Sequence, residues 1–118
     1  MITIFGIKNC DTMKKAFKWL DANGLEYRFH DYRKDGINEE MVKTFVDQLG
    51  LDLVLNRRGT TWRKLPEDVK DSLNEADAVK LLCENEAMIK RPIFDLGDHY
   101  AIGFSRKDQD ALESKLVK

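Results

Sequence analysis

Cys10 stands where an apolar run gives way to an amphipathic one, in Ile2-Thr-Ile-Phe-Gly-Ile-Lys-Asn-Cys10-Asp-Thr-Met13-Lys-Lys-Ala-Phe17. A thiol at the start of a helix meets unpaired backbone N–H groups and a partial positive charge, and both favour thiolate over thiol. The thiolate is the nucleophilic form, able to attack a disulfide sulfur. The competing reading is a small hydrophobe filling space at a strand end, the usual role of a lone intracellular cysteine. Cys10-Asp-Thr-Met13 has the spacing of the Cys-x-x-Cys pairs of thiol oxidoreductases, with methionine in the second place. A thioether cannot close a disulfide. A second thiol must therefore come from glutathione, from a partner protein or from Cys83, the other cysteine of the chain.

Anion-binding groups are the second requirement of such chemistry. Arg91-Pro92 directly precedes a strand-like run, and a guanidinium there offers forked donors suited to oxyanions and carboxylates. Its plain alternative is a surface arginine. The stretch Leu55-Asn-Arg-Arg-Gly-Thr-Thr-Trp62-Arg-Lys-Leu65 carries Arg57, Arg58, Arg63 and Lys64 with no acid among them. Uncompensated arginines beside glycine and hydroxyls make an anion site able to hold carboxylates or an oxyanion and to depress a thiol pKa. A solvated basic loop is the alternative there. Trp62 reads as an anchor pinning that loop to the core rather than as a ligand platform. Cys83, within Lys80-Leu-Leu-Cys83-Glu84, reads as a packed thiol rather than a resolving one. His30 reads as a structural hydrogen-bonder and His99 as an exposed turn residue. Two histidines and two cysteines without paired spacing make no zinc site. Lys14 and Lys15 fall on the polar face of the first helix, where they either raise the potential around Cys10 or are simply solvated.

The elements that must position these groups follow from periodicity. Residues 2–5 are β-branched and aromatic, a buried strand. From Asp11 the apolar positions Met13, Ala16, Phe17 and Leu20 form a helical stripe, closed by Asn23-Gly24. Residues 25–30 alternate as a second strand, so strand, helix and strand predict a parallel βαβ unit. After Asp35-Gly36, Asn38 caps a helix with Met41, Val42, Phe45, Val46 and Leu49 inward, ended by Gly50. Residues 51–65 read as irregular. Pro66 opens a helix carrying Val69 and Leu73, and Asn74 caps another carrying Ala78, Val79, Leu81 and Leu82. Residues 89–94 return to strand, Gly97-Asp98 turns, and residues 100–103 pair back antiparallel. Ser105 and Asp108 predict a capping box opening a last helix with Ala111, Leu112 and Leu116 inward. This order, βαβ, helical insert and ββα, is an α/β layer fold on a mixed sheet.

With 118 residues, 42% of them hydrophobic, one core is attainable and two are not. A formal charge of −1 gives no electrostatic case for nucleic acid or an anionic membrane as partner. No run approaches the roughly 18 apolar residues of a membrane helix, and no signal-peptide layout opens the chain. Two cysteines are not the framework of a secreted mini-domain, so a reducing cytoplasm is the expected location.

Cys10-Asp-Thr-Met13, Asn56-Arg57-Arg58-Gly59-Thr60, Lys90-Arg91-Pro92-Ile93 and Gly103-Phe104 together resemble the arsenate reductase (ArsC)/Spx family. Gly-Ile-Lys-Asn-Cys-Asp-Thr at 6–12, Tyr-Arg-Phe-His-Asp-Tyr-Arg at 27–33 and Arg-Gly-Thr-Thr-Trp-Arg-Lys-Leu at 58–65 are most like its small YffB-type members. The resemblance runs the length of the chain. It implies a thioredoxin-like fold as one domain, 1–118, on a mixed four-stranded sheet with a helical insertion at about 37–88. It implies a catalytic Cys10 with anion-binding Arg58 and Arg91, while Asn9, Asp11 and Thr12 shape the N-terminal turn. In thioredoxin-like folds a proline in the place of Pro92 is cis and lies beside the reactive cysteine, leaving nearby backbone free to pair with a thiol substrate. Arsenate reductases of the family use a third arginine after the hairpin. Gly103-Phe104 occupies that place here, with Arg106 just beyond, and Met13 removes the Cys-x-x-Cys switch of many Spx regulators. The expected function is glutathione-dependent thiol/disulfide transfer, with no tightly bound cofactor and no metal. Arsenate reduction and a non-catalytic, Spx-like protein-binding role are the alternatives.

Overall fold

A computed structural model of the chain describes residues 2–117. The chain divides into two compact units, one of residues up to Gly36 together with those from Arg91 onward, the other Ile37–Lys90.

The first unit is built on a four-stranded sheet. β1 (Ile2–Gly6) leads into α1 (Asp11–Ala22) and then β2 (Tyr27–Asp31), which pairs parallel to β1 from Ile2↔Tyr27 to Gly6↔Asp31. β2 starts later than its alternation predicts because Leu25 belongs to the end of α1. The Leu25 N–H donates to the Leu20 carbonyl (3.0 Å) and the Gly24 N–H to that of Asp21 (3.1 Å), with Gly24 at φ +65°. This double closure needs a left-handed residue, hence glycine.

The second unit is helical. α2 (Glu39–Leu49) runs from Asn38, whose side chain accepts from the Met41 N–H (2.8 Å). The stretch expected to be irregular instead forms two single-turn helices, α3 (Leu51–Val54) and α4 (Thr60–Arg63), too short to carry a readable apolar period. α5 (Glu67–Asp71) follows Pro66, and α6 (Glu75–Glu84) starts at Asn74, whose side chain accepts from the Asp77 N–H (2.8 Å). Val42, Phe45 and Val46 of α2 and Ala78, Val79 and Leu82 of α6 are buried where these two helices pack. A 3-10 turn at Glu86–Met88 closes the unit, and Ile89 bridges antiparallel to Leu55.

Back in the first unit, β3 (Ile93–Asp95) pairs antiparallel to β1 and β4 (Tyr100–Ile102) antiparallel to β3, giving the order β2-β1-β3-β4. β3 is shorter than its apolar run predicts. Pro92 has no N–H for the ladder, and Ile89 is spent on its bridge to Leu55. α7 (Arg106–Leu116) opens on the Ser105–Asp108 capping box. Its buried stripe is narrower than predicted: Leu112 is buried and Leu116 half-buried, but Ala111 faces solvent. One face of the sheet carries the core, with Ile2, Ile4 and Phe94 against Met13, Ala16 and Leu20 of α1 and Leu112 of α7.

Candidate active site

Cys10 is the N-cap residue of α1, in extended backbone conformation (φ −138°, ψ 128°), and its carbonyl accepts the first rung of the helix from the Lys14 N–H (3.0 Å). The side chain is half-buried against the core cluster and makes no formal capping hydrogen bond. Burial by itself pushes the Cys10 thiol up. The amide of Met13, a hydrogen bond and the positive charge of Arg91, and the amide of Thr12 outweigh that penalty and hold the thiol below its ordinary range. Lys14 and Lys15 lie exposed on α1 and are not among the groups acting on the sulfur.

The neighbours of this sulfur are fixed by the sheet. β1 ends at Gly6, four residues before Cys10, and β3 begins at Ile93 opposite Phe5, so Arg91-Pro92 enters beside the end of β1. The Arg91-Pro92 peptide is cis, Pro92 is fully buried, and its carbonyl accepts from the Gly103 N–H (2.8 Å). Met13 has no exposed surface and lies over Gly6, where a β-carbon would come within 2.5 Å of its Sδ and Cε. Asn9 and Asp11 are exposed and Thr12 half-buried. Of these three turn residues only Thr12 acts on the sulfur, through its backbone. The role of the Met13 amide has no sequence signal, because every residue that continues α1 presents the same N–H whatever its side chain.

Arg58 belongs to the second unit, whereas Cys10, Arg91 and Pro92 belong to the first. It is exposed, with its backbone N–H donated to Asn56 Oδ1 (3.2 Å). Together with Arg57, Asn56, Asp52 and Lys90 it lines a recess of about 300 Å³. The basic stretch is less uncompensated than it reads, since Arg57 Nη1 lies 3.2 Å from Oδ1 of Asp52, three residues before Leu55. Lys90 joins because its N–H donates to the Val54 carbonyl (2.8 Å), a long-range pairing with no local sequence signal. Trp62 is half-buried, with the Arg57 guanidinium 5.6 Å and Lys70 Nζ 5.8 Å from its ring centre.

The remaining titratable residues divide between structure and surface. His30 Nε2 lies 2.8 Å from the Gly36 carbonyl oxygen, a structural hydrogen bond. His99 is exposed on the β3–β4 turn, with Nδ1 2.7 Å from Asp98 Oδ1. Cys83, on α6, has its thiol pushed up by burial and by Glu39 and Glu84, opposite to the direction at Cys10. Phe104 is buried with an edge contact to Trp19, while the Arg106 side chain is 90% exposed and reaches Asp110 on its own helix (3.5 Å). No helix among the described residues is long and apolar enough to cross a membrane.

Comparison with known proteins gives the family and the fold. The chain is 47% identical over 111 residues to an uncharacterized protein of Haemophilus influenzae, covering 94% of this chain and 97% of that one. It is 27% identical to the global transcriptional regulator Spx of Streptococcus agalactiae, covering 92% and 80% respectively. It is similar to a solved structure described as a YFFB protein, with a TM-score of 0.91, 44% identity and coverage of 99% and 100%. The fold is thioredoxin-like. The ArsC family profile matches residues 5–112, nearly the whole chain, and the protein belongs to the ArsC family.

Proposed function

We propose that the protein is a cytoplasmic thiol oxidoreductase that works through a single nucleophilic cysteine, Cys10, with glutathione as co-substrate. One observation carries this reading: Cys10, at the N-terminus of α1, has its thiol lowered by Arg91 and two backbone amides against an opposing burial penalty. Position 13, where a resolving thiol would stand, carries a buried thioether instead. The Cys10 thiolate attacks the sulfur of a glutathione mixed disulfide, forming Cys10–S–S–glutathione and releasing the substrate as a thiolate. A second glutathione thiolate then attacks the glutathione sulfur, regenerating the Cys10 thiolate and leaving glutathione disulfide. Arg91 stabilises the sulfur anion in both half-reactions. Arg58 is the further anion ligand of this reading, and Arg58→Ala raises KM for glutathione while leaving the Cys10 alkylation rate unchanged.

The oxyanion-reductase alternative is less favoured, because Phe104 is a core residue and Arg106 turns to Asp110 on an exposed helix face. The likeness to Spx favours a second reading, a protein-binding regulator. The decisive experiment is intact-mass measurement after treatment with oxidised glutathione, on the native chain and Cys10→Ser. A single glutathione adduct lost in Cys10→Ser supports the monothiol cycle. Loss of two hydrogens, reporting a Cys10–Cys83 bridge, refutes it, as does an adduct that survives Cys10→Ser. Partner capture unchanged by Cys10→Ser, with no turnover in the native chain, supports the regulator instead.

A further inference from the structure

A recess of about 310 Å³ within the first unit takes no part in the steps above. Its apolar lining is aromatic. Phe17 of α1 stacks on Tyr27 of β2 (ring centres 5.7 Å apart, planes at 12°) and meets Phe29 edge-on (4.9 Å). All three rings are half-buried and keep surface open to the recess. Lys8 and Lys34 line it as well, with Asp31 and Asp35. The two carboxylates are tied to the turn after β2: Asp31 Oδ1 accepts from the Arg33 N–H (2.9 Å) and Asp35 Oδ2 from the Asp31 N–H (3.0 Å). The two lysines are exposed, and their ammonium groups have no hydrogen bond or ion pair among the described residues. The recess reaches the end of the sheet where Cys10 stands. Gly6 pairs with Asp31 at the carboxyl ends of the parallel strands β1 and β2, and Lys8 precedes Cys10 by two residues. Phe17 follows Cys10 by seven residues, about 10 Å along α1, and helical side chains lean back toward the N-terminus.

We propose that this recess is a specificity subsite for a protein substrate of Cys10, taking an aromatic side chain with an acidic neighbour near the disulfide cysteine, a role that rests on the thiol-transfer reading above. Its volume lies at the lower limit of ligand pockets, roughly 300–1,000 Å³, which suits one bulky side chain better than an extended cofactor. Three rings set both face-on and edge-on favour a further flat ring. The lysines carry donors only, on long flexible stems, so they can swing to an incoming carboxylate while the bound aspartates stay at their turn. An extended chain covers about 10 Å in three residues, which sets the spacing between the substrate cysteine and its aromatic residue. Glutathione has no ring, so the recess selects the other half of the mixed disulfide. It therefore acts in the first half-reaction, in which the protein leaves as a thiolate and glutathione stays on Cys10. The second half-reaction, with free glutathione, does not use it.

The test uses glutathione mixed disulfides of two end-blocked peptides, Cys-Gly-Gly-Trp-Glu and its reverse, Glu-Trp-Gly-Gly-Cys. Each is compared with a control carrying Ala for Trp and Gln for Glu. In the native chain, kcat/KM for one orientation or both is expected to exceed its control about three- to tenfold, the range of an aromatic contact, with KM for glutathione the same for both. In the Lys8→Gln/Lys34→Gln variant that advantage shrinks about two- to fivefold, the range of exposed charge pairs. Binding is read separately on Cys10→Ser, which cannot exchange, from amide chemical shifts with the reduced peptides. The shifts of Lys8, Phe17, Phe29 and Lys34 are expected to move with the Trp–Glu peptide and not with its control. Equal kcat/KM for peptide and control in both orientations overturns the proposal. So does an advantage untouched by loss of both lysines, or shift changes that fall outside the recess. Absence of turnover with every peptide overturns the thiol-transfer reading and the subsite's role with it, while the amide shifts still show whether the recess binds.

Discussion

Arg91→Ala should make the pH profile of Cys10 alkylation cross that of the native chain. Arg91 is the sole side chain acting on the sulfur among the described residues, through a hydrogen bond and through its charge. A hydrogen bond to a charged group is worth about 1.5–3 kcal/mol. Cys10 is only half-buried, so solvent screening trims this to about 1.4 kcal/mol. That corresponds to roughly tenfold less thiolate at any pH below the titration. The remaining thiolate is more basic and so more nucleophilic, and a Brønsted slope of 0.4–0.5 returns about threefold of the loss. The variant is therefore expected to alkylate about threefold slower than the native chain at low pH and about threefold faster at high pH, where both sulfurs are ionised. Iodoacetamide rates followed by mass spectrometry, with Cys10 and Cys83 resolved as separate peptides, measure this directly. Superimposed profiles would remove Arg91 from the site. A variant slower by one constant factor at every pH would mean that Arg91 governs access rather than ionisation.

Stability offers three further tests. Cys10 has a lowered thiol in the folded state, so the unfolded chain binds more protons between the folded value and the unfolded one near about 8.5. The stabilisation is thus complete above the unfolded value and lost as pH falls through the folded one. Denaturant midpoints of the native chain relative to Cys10→Ser should rise with pH across that window; a flat difference refutes the shift. Asp98, exposed and hydrogen-bonded first by His99 and then by Lys115, has its carboxyl lowered to about 2. Its contribution is present above the unfolded value of about 3.9 and lost as pH falls toward 2, so Asp98→Asn should flatten the acid limb of thermal melts there. Met13→Ala removes a side chain with no exposed surface and should cost about 2–5 kcal/mol in denaturant titrations. Gly6→Ala, which crowds Met13 Sδ and Cε, should be destabilising alone and markedly less so on Met13→Ala. Additive losses would show that the two do not share that space.

What could be read from the sequence was whatever depends on a few adjacent residues. Asn38, Asn74 and the Ser105–Asp108 box cap their helices as read, because an N-cap needs only a side-chain oxygen within three residues of a free N–H. The core stripe of Met13, Ala16 and Leu20 and the parallel pairing of β1 with β2 follow from period and connection. Long-range pairing was not readable. Ile89 looks like the first residue of a strand, and only its bridge to Leu55 shows that it belongs to the second unit. Asp52 lies outside the basic segment by sequence and inside it by geometry, through Arg57. At the site, the helix N-terminus signalled Cys10, but the approach of Arg91 to its sulfur depends on the β1–β3 register, which no local pattern encodes.

Position 13 bears on the proposed chemistry through two separate groups. Its peptide group and its side chain face opposite tasks: the N–H points to the Cys10 sulfur, and the thioether fills the core above Gly6. The peptide group is the same for any residue that continues α1, so the amide's pull on the sulfur does not depend on whether position 13 is cysteine or methionine. The side chain decides everything else. A thiol there permits a ring disulfide, whereas a thioether forbids one and adds buried volume that a tightly packed interior uses. Exchanging the two therefore changes the class of thiol chemistry, from self-resolving to dependent on an outside thiol, with little effect on the ionisation of Cys10. Introducing a dithiol by Met13→Cys would permit the ring at the expense of core packing, and the Cys10 thiol would still be lowered by Arg91 and two amides.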